Sequence, residues 1–304
     1  MPFENNPLQP LVSIIVLQYN HSDATILCLE SLRRLSYKNC KIIVVDNASS
    51  DSDSNTARLY ITQHFGDKGN CVFIQNKNNL GYAGGNNVGI KYALKKKADF
   101  VLILNNDTIA EPNLIEKMLE VAKNAEIDIV QCAIKENEYV KYCGGPIEWF
   151  NPYVRHNHIK PDSLYIDKPF YAIGAAIMIS RKIIEKIGVF DESYFLYFED
   201  ADFTYKARNY GYKISYTQEA LITHNLCTST KSLGYSLMYY TYRNMLIFTK
   251  KYAPIHIRFA IPFWVLYTKI KQQMKIILGI NEKESSIILK ALNDFSNNKI
   301  GKEI

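Results

Sequence analysis

None of the six cysteines (Cys28, Cys40, Cys71, Cys132, Cys143, Cys227) stands in a CxxC pair or at any other zinc spacing, which sets aside a structural zinc module. Several lie in apolar runs, the setting of buried free thiols in a reducing compartment. No run approaches the ~18 apolar residues of a membrane-spanning helix; the nearest, Phe259–Tyr267, is short and flanked by Arg258 and Lys269. The first residues, Met1 to Pro7, lack the basic start and apolar block of a secretory signal, so the protein is expected inside the cell. After the first strand-like segment there is no GxGxxG, which disfavours a nicotinamide dehydrogenase. Nor is there a glycine-rich, Lys/Arg-bearing phosphate loop of the kind a nucleotidyltransferase would place there; Gln18-Tyr19-Asn20-His21 occupies that position. Internal repeats and low-complexity tracts are absent. A net charge of +6 with mostly scattered lysines is mild, so no nucleic-acid partner is expected.

What remains is an ordinary globular composition, 47% apolar and 22% charged over 304 residues. That length suits one large α/β domain with an appendage, or two modest domains. Four apolar strand-like segments each run into small polar or acidic residues. Val12–Leu17 leads to Gln18-Tyr19-Asn20, and Lys41–Val45 to Asp46-Asn47-Ala48-Ser49-Ser50-Asp51. Cys71–Gln75 leads to the Asn78–Gly89 stretch, and Phe100–Leu104 to Asn105-Asn106-Asp107. A parallel α/β sheet binds its ligand beyond the carboxyl ends of its strands, so four such tips describe one ligand-binding edge.

Strand and helix signals alternate from residue 12 to about 132, the pattern of a parallel sheet flanked by helices. Helices are expected over Ala24–Leu35, from Val88 to about Lys96, and from Glu111-Pro112 to about Asn124, with Ile127–Cys132 as a fifth strand. From 135 to 168 the pattern weakens into hairpins, loops and a candidate lid. It resumes with the apolar run Ala172–Ile179, a helix over Arg181–Ile187, and another beginning at Glu199-Asp200-Ala201-Asp202. Lys213–Tyr216 and Ala220–Thr223 read as short strands ending at His224, and the last 75 or so residues read as helical, aromatic and basic.

Each polar tip has a chemical reading beside a plainer one. Asp107, beside two amides at a strand end, suits a hard divalent cation that also binds substrate phosphates; it equally suits a turn. Glycines 81, 84, 85 and 89 would let the backbone approach a ligand, with the following helix aimed at an anion, or would simply make a turn. Asp46 could accept hydrogen bonds from a ribose or base. Glu199, Asp200 and Asp202 at a helix start satisfy the helix dipole, yet behind Tyr194–Phe198 they also suit a general base facing a sugar. His224 is a structural histidine or, if Asp107 lies beside it in space, half of a metal site.

Together these motifs resemble the inverting glycosyltransferases of family 2, with their GT-A fold, from Val12 to about Lys251. Val12–Asn20 resembles the family's opening strand, and Val44–Asp51 its nucleotide-binding second strand end. Asn79–Gly89 is similar to the loop near the nucleotide, Leu104–Asp107 to the DxD metal motif, and Phe198–Asp202 to the ED motif. His224 is similar to the metal-binding histidine, and Arg243-Asn244 to another recurrent feature. The first acid of DxD is Asn105 here, as in rhamnosyltransferase-like members, which leaves Asp107 the only charged ligand of that motif.

The resemblance implies a Rossmann-like, mostly parallel central sheet in a catalytic domain over 10–230, followed by a helical extension over 231–304. It implies Tyr19, Asn20, Asp46, Asn79, Gly81, Gly85, Asn86, Asn105 and Asn106 around the nucleotide, and Asp107 with His224 on a divalent metal, manganese or magnesium. Asp200 would be the base, with Glu199 its alternative, while Asp202 and Arg243 would support the helix or the acceptor. The donor would be dTDP-rhamnose or a UDP-hexose and the acceptor a glycan, lipid-linked in surface polysaccharide assembly. The non-enzymatic alternative is a nucleotide-sugar-binding or scaffold protein of the same fold. The His256–Tyr267 segment with Lys269, Lys271 and Lys275 reads either as a helix packed on the catalytic domain or as a peripheral contact with the inner face of the plasma membrane.

Overall fold

The β-branched runs become the strands they suggest. The computed structural model describes residues 9–66, 70–124, 126–136, 139–142, 144–152, 170–224 and 229–303. The first third alternates β1 (Val12–Gln18), α1 (Ser22–Arg33), β2 (Cys40–Asp46), α2 (Asp51–Phe65), β3 (Cys71–Gln75), α3 (Gly81–Lys95) and β4 (Phe100–Asn105). There follow β5 (Thr108–Ala110), α4 (Leu114–Asn124), β6 (Ile129–Glu136), β7 (Tyr139–Tyr142) and the two-residue strands β8 (Gly145–Pro146) and β9 (Phe170–Tyr171). The last part holds β10 (Ala176–Ser180), α5 (Arg181–Ile187), α6 (Glu199–Asn209), β11 (Ile214–His224), α7 (Ser229–Tyr252), α8 (Ile255–Ile277) and α9 (Glu282–Ser296).

The main sheet runs β3-β2-β1-β4-β10-β6-β11-β5, with β7 paired to β6. Pairings among β3, β2, β1 and β4 are all parallel, so their polar tips share one edge. Gln18 lies opposite Asp46 and Leu17 opposite Asn105. Beyond β4 the sheet is mixed, because β10 inserts antiparallel between β4 and β6. Strand alternation sorts the core into two layers. Val12, Ile14 and Val16 meet Leu29, Leu32 and Met118 on one face, and Ile15, Val101 and Ile103 meet Ile90, Ile184 and Phe203 on the other. The helical C-terminal region carries a third, aromatic cluster around Tyr194, Phe198, Leu246 and Phe248.

Several elements differ from expectation: the fifth strand runs on to Glu136 and the helix expected from Glu111-Pro112 begins at Leu114. The helix expected from Val88 begins at Gly81, because its glycines are packing positions. A Cβ on Gly89 would stand 2.6 Å from Ile15 Cγ2, and one on Gly85 would overlap Leu17. The two short strands before His224 are a single strand with an irregularity between Thr217 and Leu221. The short β5 gave no sequence signal. Part of the candidate lid, 153–168, lies outside the described residues, as do Cys143 and Cys227; Cys28, Cys40 and Cys71 are free thiols.

Candidate active site

β5 begins one residue after Asp107, and its pairing with the end of β11 sets His224 opposite Thr108. That register brings His224 Nε2 to 3.0 Å from Asp107 Oδ1. Behind the ring, Nδ1 is 3.8 Å from Glu136 Oε1. Burial draws the His224 pKa down, but the Asp107 bond and the charges of Asp107 and Glu136 outweigh it and hold the ring above its ordinary value. The buried Glu136 was not singled out in the sequence, since it opens the stretch where regular patterning fades.

An oxygen and a nitrogen about 3 Å apart match two adjacent ligands of an octahedral cation with bonds of about 2.1 Å. Among the described residues no group of three His, Cys, Asp or Glu side chains could hold a metal. The donor set therefore fits a cation that draws its other ligands from water and phosphate. Glu136 would then fix the ring from behind, as outer partners of metal-bound histidines do.

On the neighbouring tips, Asp46 is fully buried, with Oδ1 3.3 Å from Gln18 Nε2 and no partner for Oδ2. Tyr19 stands exposed beyond β1. Other candidates are built into the scaffold. Asn20 accepts from the Ser50 amide and Asn106 donates to Thr25. Asn79 accepts from the Asn47 side chain and the Gly81 amide, and Asn86 donates to the Tyr82 carbonyl. Asn47, unmarked in the sequence, ties this loop together: it donates to Asn79 and the Gly81 carbonyl and accepts from Asn76 and the Leu80 amide. Ser50 caps α2 through the Asp53 amide.

The first turn of α3 was expected to face an anion. Its amides are already engaged: Gly81 donates to Asn79, and Tyr82 donates to the Phe195 carbonyl at 2.7 Å. Gly81, at φ +74°, is where that loop presses closest. The Tyr82 hydroxyl lies 2.9 Å from Asn105 Oδ1 and 2.8 Å from the Gly174 carbonyl. The Gly174 amide in turn donates to Asp200 Oδ2 at 2.9 Å. Gly174 had no mark in the sequence beyond a run of small residues before β10, yet it joins Asn105 to the acids.

Those acids open α6. Glu199 is 4% exposed with Oε2 unpartnered, whereas Asp200 is part-exposed and accepts from the Gly174 and Ala201 amides. Burial raises both pKa values, and the Asp200 charge raises Glu199 further, well above the carboxylate range. Neighbouring acids share protons unequally. Two amide donors favour the ionised form of Asp200, so Glu199 keeps its proton to higher pH than Asp200. Burial raises the hydroxyls of Tyr82 and Tyr197, and nearby carboxylates raise both further; the Tyr82 and Gly174 bonds bring Asn105, at the end of β4, to Asp200 at the start of α6.

The turn feeding α6 is strained, with Phe195, Tyr197 and Phe198 at positive φ, a conformation costly for residues with a Cβ. Arg243 and Asn244 hold it. Arg243 is fully buried, stacks on Tyr239 and Tyr240, and donates to the carbonyls of Tyr194, Ser193 and Gly301. The Asn244 amide lies within 2.9 Å of the carbonyls of Tyr194, Leu196 and Tyr197. Asp202 does not face the acids' space: it is 2% exposed, accepting from Tyr194 and from Lys251 of α7 at 2.6 Å.

Known proteins share both sequence and architecture with this chain. The family described as "Glycosyl transferase family 2" matches residues 13–188. The low-salt glycan biosynthesis hexosyltransferase Agl10 of Haloferax volcanii is 28% identical over 226 residues, 70% of this chain and 67% of that protein. An uncharacterised glycosyltransferase of Rickettsia prowazekii is 30% identical over 210 residues, 67% of this chain but only 60% of that protein. The dTDP-rhamnosyl transferase RfbF of Shigella flexneri is 21% identical over 246 residues, covering 74% and 76%. A solved mannosyltransferase from Pyrobaculum calidifontis, in complex with GDP-Man and Mn2+, superposes with a TM-score of 0.62 at 12% identity, covering 96% of this chain and 89% of that one. That likeness extends the GT-A architecture across the mixed sheet and the C-terminal helices. With more than half its length matched by the family's own sequence pattern, the chain belongs to the glycosyltransferases of family 2.

Proposed function

We propose that the protein is an inverting transferase that moves a sugar from a nucleoside diphosphate donor, dTDP-rhamnose or a UDP-hexose, to a hydroxyl of a glycan acceptor. The lipid-linked acceptor of surface polysaccharide assembly is the preferred class. The observation that carries the reading is the Tyr82–Gly174 bridge that joins Asn105, two residues before the His224-paired Asp107, to the part-exposed Asp200. In this reading the nucleoside lies along Tyr19, Asp46 and Asn105, where the orphaned Asp46 Oδ2 would accept a donor N–H or O–H. Asn20, Asn79, Gly81, Gly85, Asn86 and Asn106 shape the floor beneath it. Asp107 and His224 would hold a manganese or magnesium ion, which when bound neutralises charge on the diphosphate.

Asp200 takes the proton of the acceptor hydroxyl while that oxygen attacks the anomeric carbon. The carbon–oxygen bond to the diphosphate breaks on the opposite face, and the configuration inverts. Glu199 is the weaker candidate for base because its carboxyl is buried away from an acceptor. Relatives named for hexosyl and rhamnosyl transfer support the donor classes.

The test is thermal unfolding with UDP, dTDP and GDP sugars, with and without manganese, alongside release of nucleoside diphosphate. Metal-dependent stabilisation by one donor, lost in Asp107→Ala, together with turnover lost in Asp200→Asn, is the expected result. No stabilisation of the folded protein by any donor would favour the scaffold alternative.

A further inference from the structure

Among the described helices, α8 turns a large apolar stripe outward. Phe259, Phe263, Leu266, Ile270, Met274 and Ile277 recur at steps of three and four and are 52–78% exposed. At 3.6 residues per turn they share one side. The opposite side, Ile261, Val265, Thr268 and Gln272, is buried against the rest of the protein. The stripe runs along a helix of 23 residues, about 35 Å at 1.5 Å per residue. A patch of this kind marks an interaction surface.

Charge selects its occupant. Between Glu219 and Glu282 the sequence has no acidic residue. Arg258 and Lys269 flank one edge of the stripe, and Lys271 and Lys275 the other. A two-fold contact with a second copy would set these basic rims against each other, since such an interface repeats the same patch on both sides. A bilayer rich in acidic lipid offers the complement: an apolar layer for the stripe and anionic headgroups for the rims. No described helix is long and apolar enough to cross a membrane, so α8 would lie in the interface plane.

We infer that α8 is an in-plane anchor that docks the protein on an acidic lipid surface. The anchor is joined to the active site. Trp264 of α8 stacks on Phe150 at 5.5 Å, next to the 146–151 segment that lines a cavity with Phe198 and Ala201 at the start of α6. The anchor itself does not rest on the transferase reading, because lipid binding needs no donor.

The experiment is co-sedimentation of the full chain with vesicles of phosphatidylcholine alone or with a third phosphatidylglycerol, with light scattering of the free protein. Binding is expected to the acidic vesicles only and to weaken with salt. It should fall about fivefold for each cation removed in Lys271→Gln and Lys275→Gln, and about tenfold or more for each of Phe259→Ser and Phe263→Ser. All four positions are on the surface, so unfolding temperatures should stay near wild type. Failure to bind acidic vesicles, equal binding to neutral ones, or a dimer that the Phe variants dissolve would each overturn the inference.

Discussion

Replacing single glycines by alanine separates three physical costs that the structure assigns to three positions. Gly188 has φ +87° and ψ −165°, a backbone region that glycine alone adopts readily, with open space around its missing side chain, so Gly188→Ala should cost backbone strain alone, about 1–3 kcal/mol. Gly89 is helical, and its new Cβ would stand 2.6 Å from Ile15 Cγ2. Overpacking of ~1–3 kcal/mol is offset there by ~1 kcal/mol of helix propensity, so Gly89→Ala should cost about 1 kcal/mol. Gly81 combines φ +74° with a Cβ that would overlap the Phe195 carbonyl and stand 2.5 Å from its ring. Neither can rotate away cheaply, since that carbonyl accepts from the Tyr82 amide and Asn244 grips the adjoining turn. Strain, displaced backbone and about 1 kcal/mol for the lost hydrogen bond together give roughly 4 kcal/mol for Gly81→Ala. Urea unfolding of the three variants, with the slope held constant, reads the differences directly. Because the same turn carries Glu199 and Asp200, transfer should fall in Gly81→Ala and hold in Gly188→Ala. A Gly81→Ala protein no less stable than Gly188→Ala would refute the proposed locking of α3 against the acid loop.

Asp200→Asn should lower kcat by about a hundredfold or more with donor binding kept, measured by turnover and thermal shift. In the wild type the acid limb of kcat/KM should lie above the ordinary aspartate range and rise with pH, because burial lifts Asp200. Glu199 is also raised in the fold, so its contribution to stability is complete below its unfolded pKa and is lost as pH climbs through the folded value. Glu199→Gln should therefore unfold at a higher temperature than wild type near neutrality and show little gain in acid. Lys251→Met strands Asp202 in the interior and should cost about 3 kcal/mol, much of it recovered when Asp202→Asn is added. Arg243→Met should destabilise by a similar amount and lower turnover, and Arg243→Lys should not restore either, since one ammonium cannot span the carbonyls of Gly301 and Tyr194.

The sheet edge was legible because each parallel strand announces itself by an apolar run and stops at a polar tip. Asp46 and Asp107 stand out for the same reason, and Asp200 by its place in an acidic cluster behind the aromatic run Tyr194–Phe198. Less legible was what each tip touches. Asn20, Asn79 and Asn106 bond within turns and to neighbouring elements while Asn105 accepts from Tyr82, and only tertiary partners separate these placements of the same amide. Periodicity misplaced the start of α3 because glycine carries no apolar signal, although it is glycine that lets the helix lie close to β1. Glu136 and Gly174 escaped notice because their roles arise from long-range pairing, Glu136 against His224 and Gly174 against Tyr82 and Asp200.

Gly301 bonds in both directions, giving its amide to the Ser193 carbonyl and receiving Arg243 on its own carbonyl. In vectorial synthesis the turn ahead of α6 is made before Arg243 and Asn244, which grip its carbonyls, and more than a hundred residues before Gly301, which braces Arg243 from the other side. The strands of the sheet can therefore pair before the last brace on the acid-bearing turn exists, and a nascent chain that stalls in α9 would lack that brace.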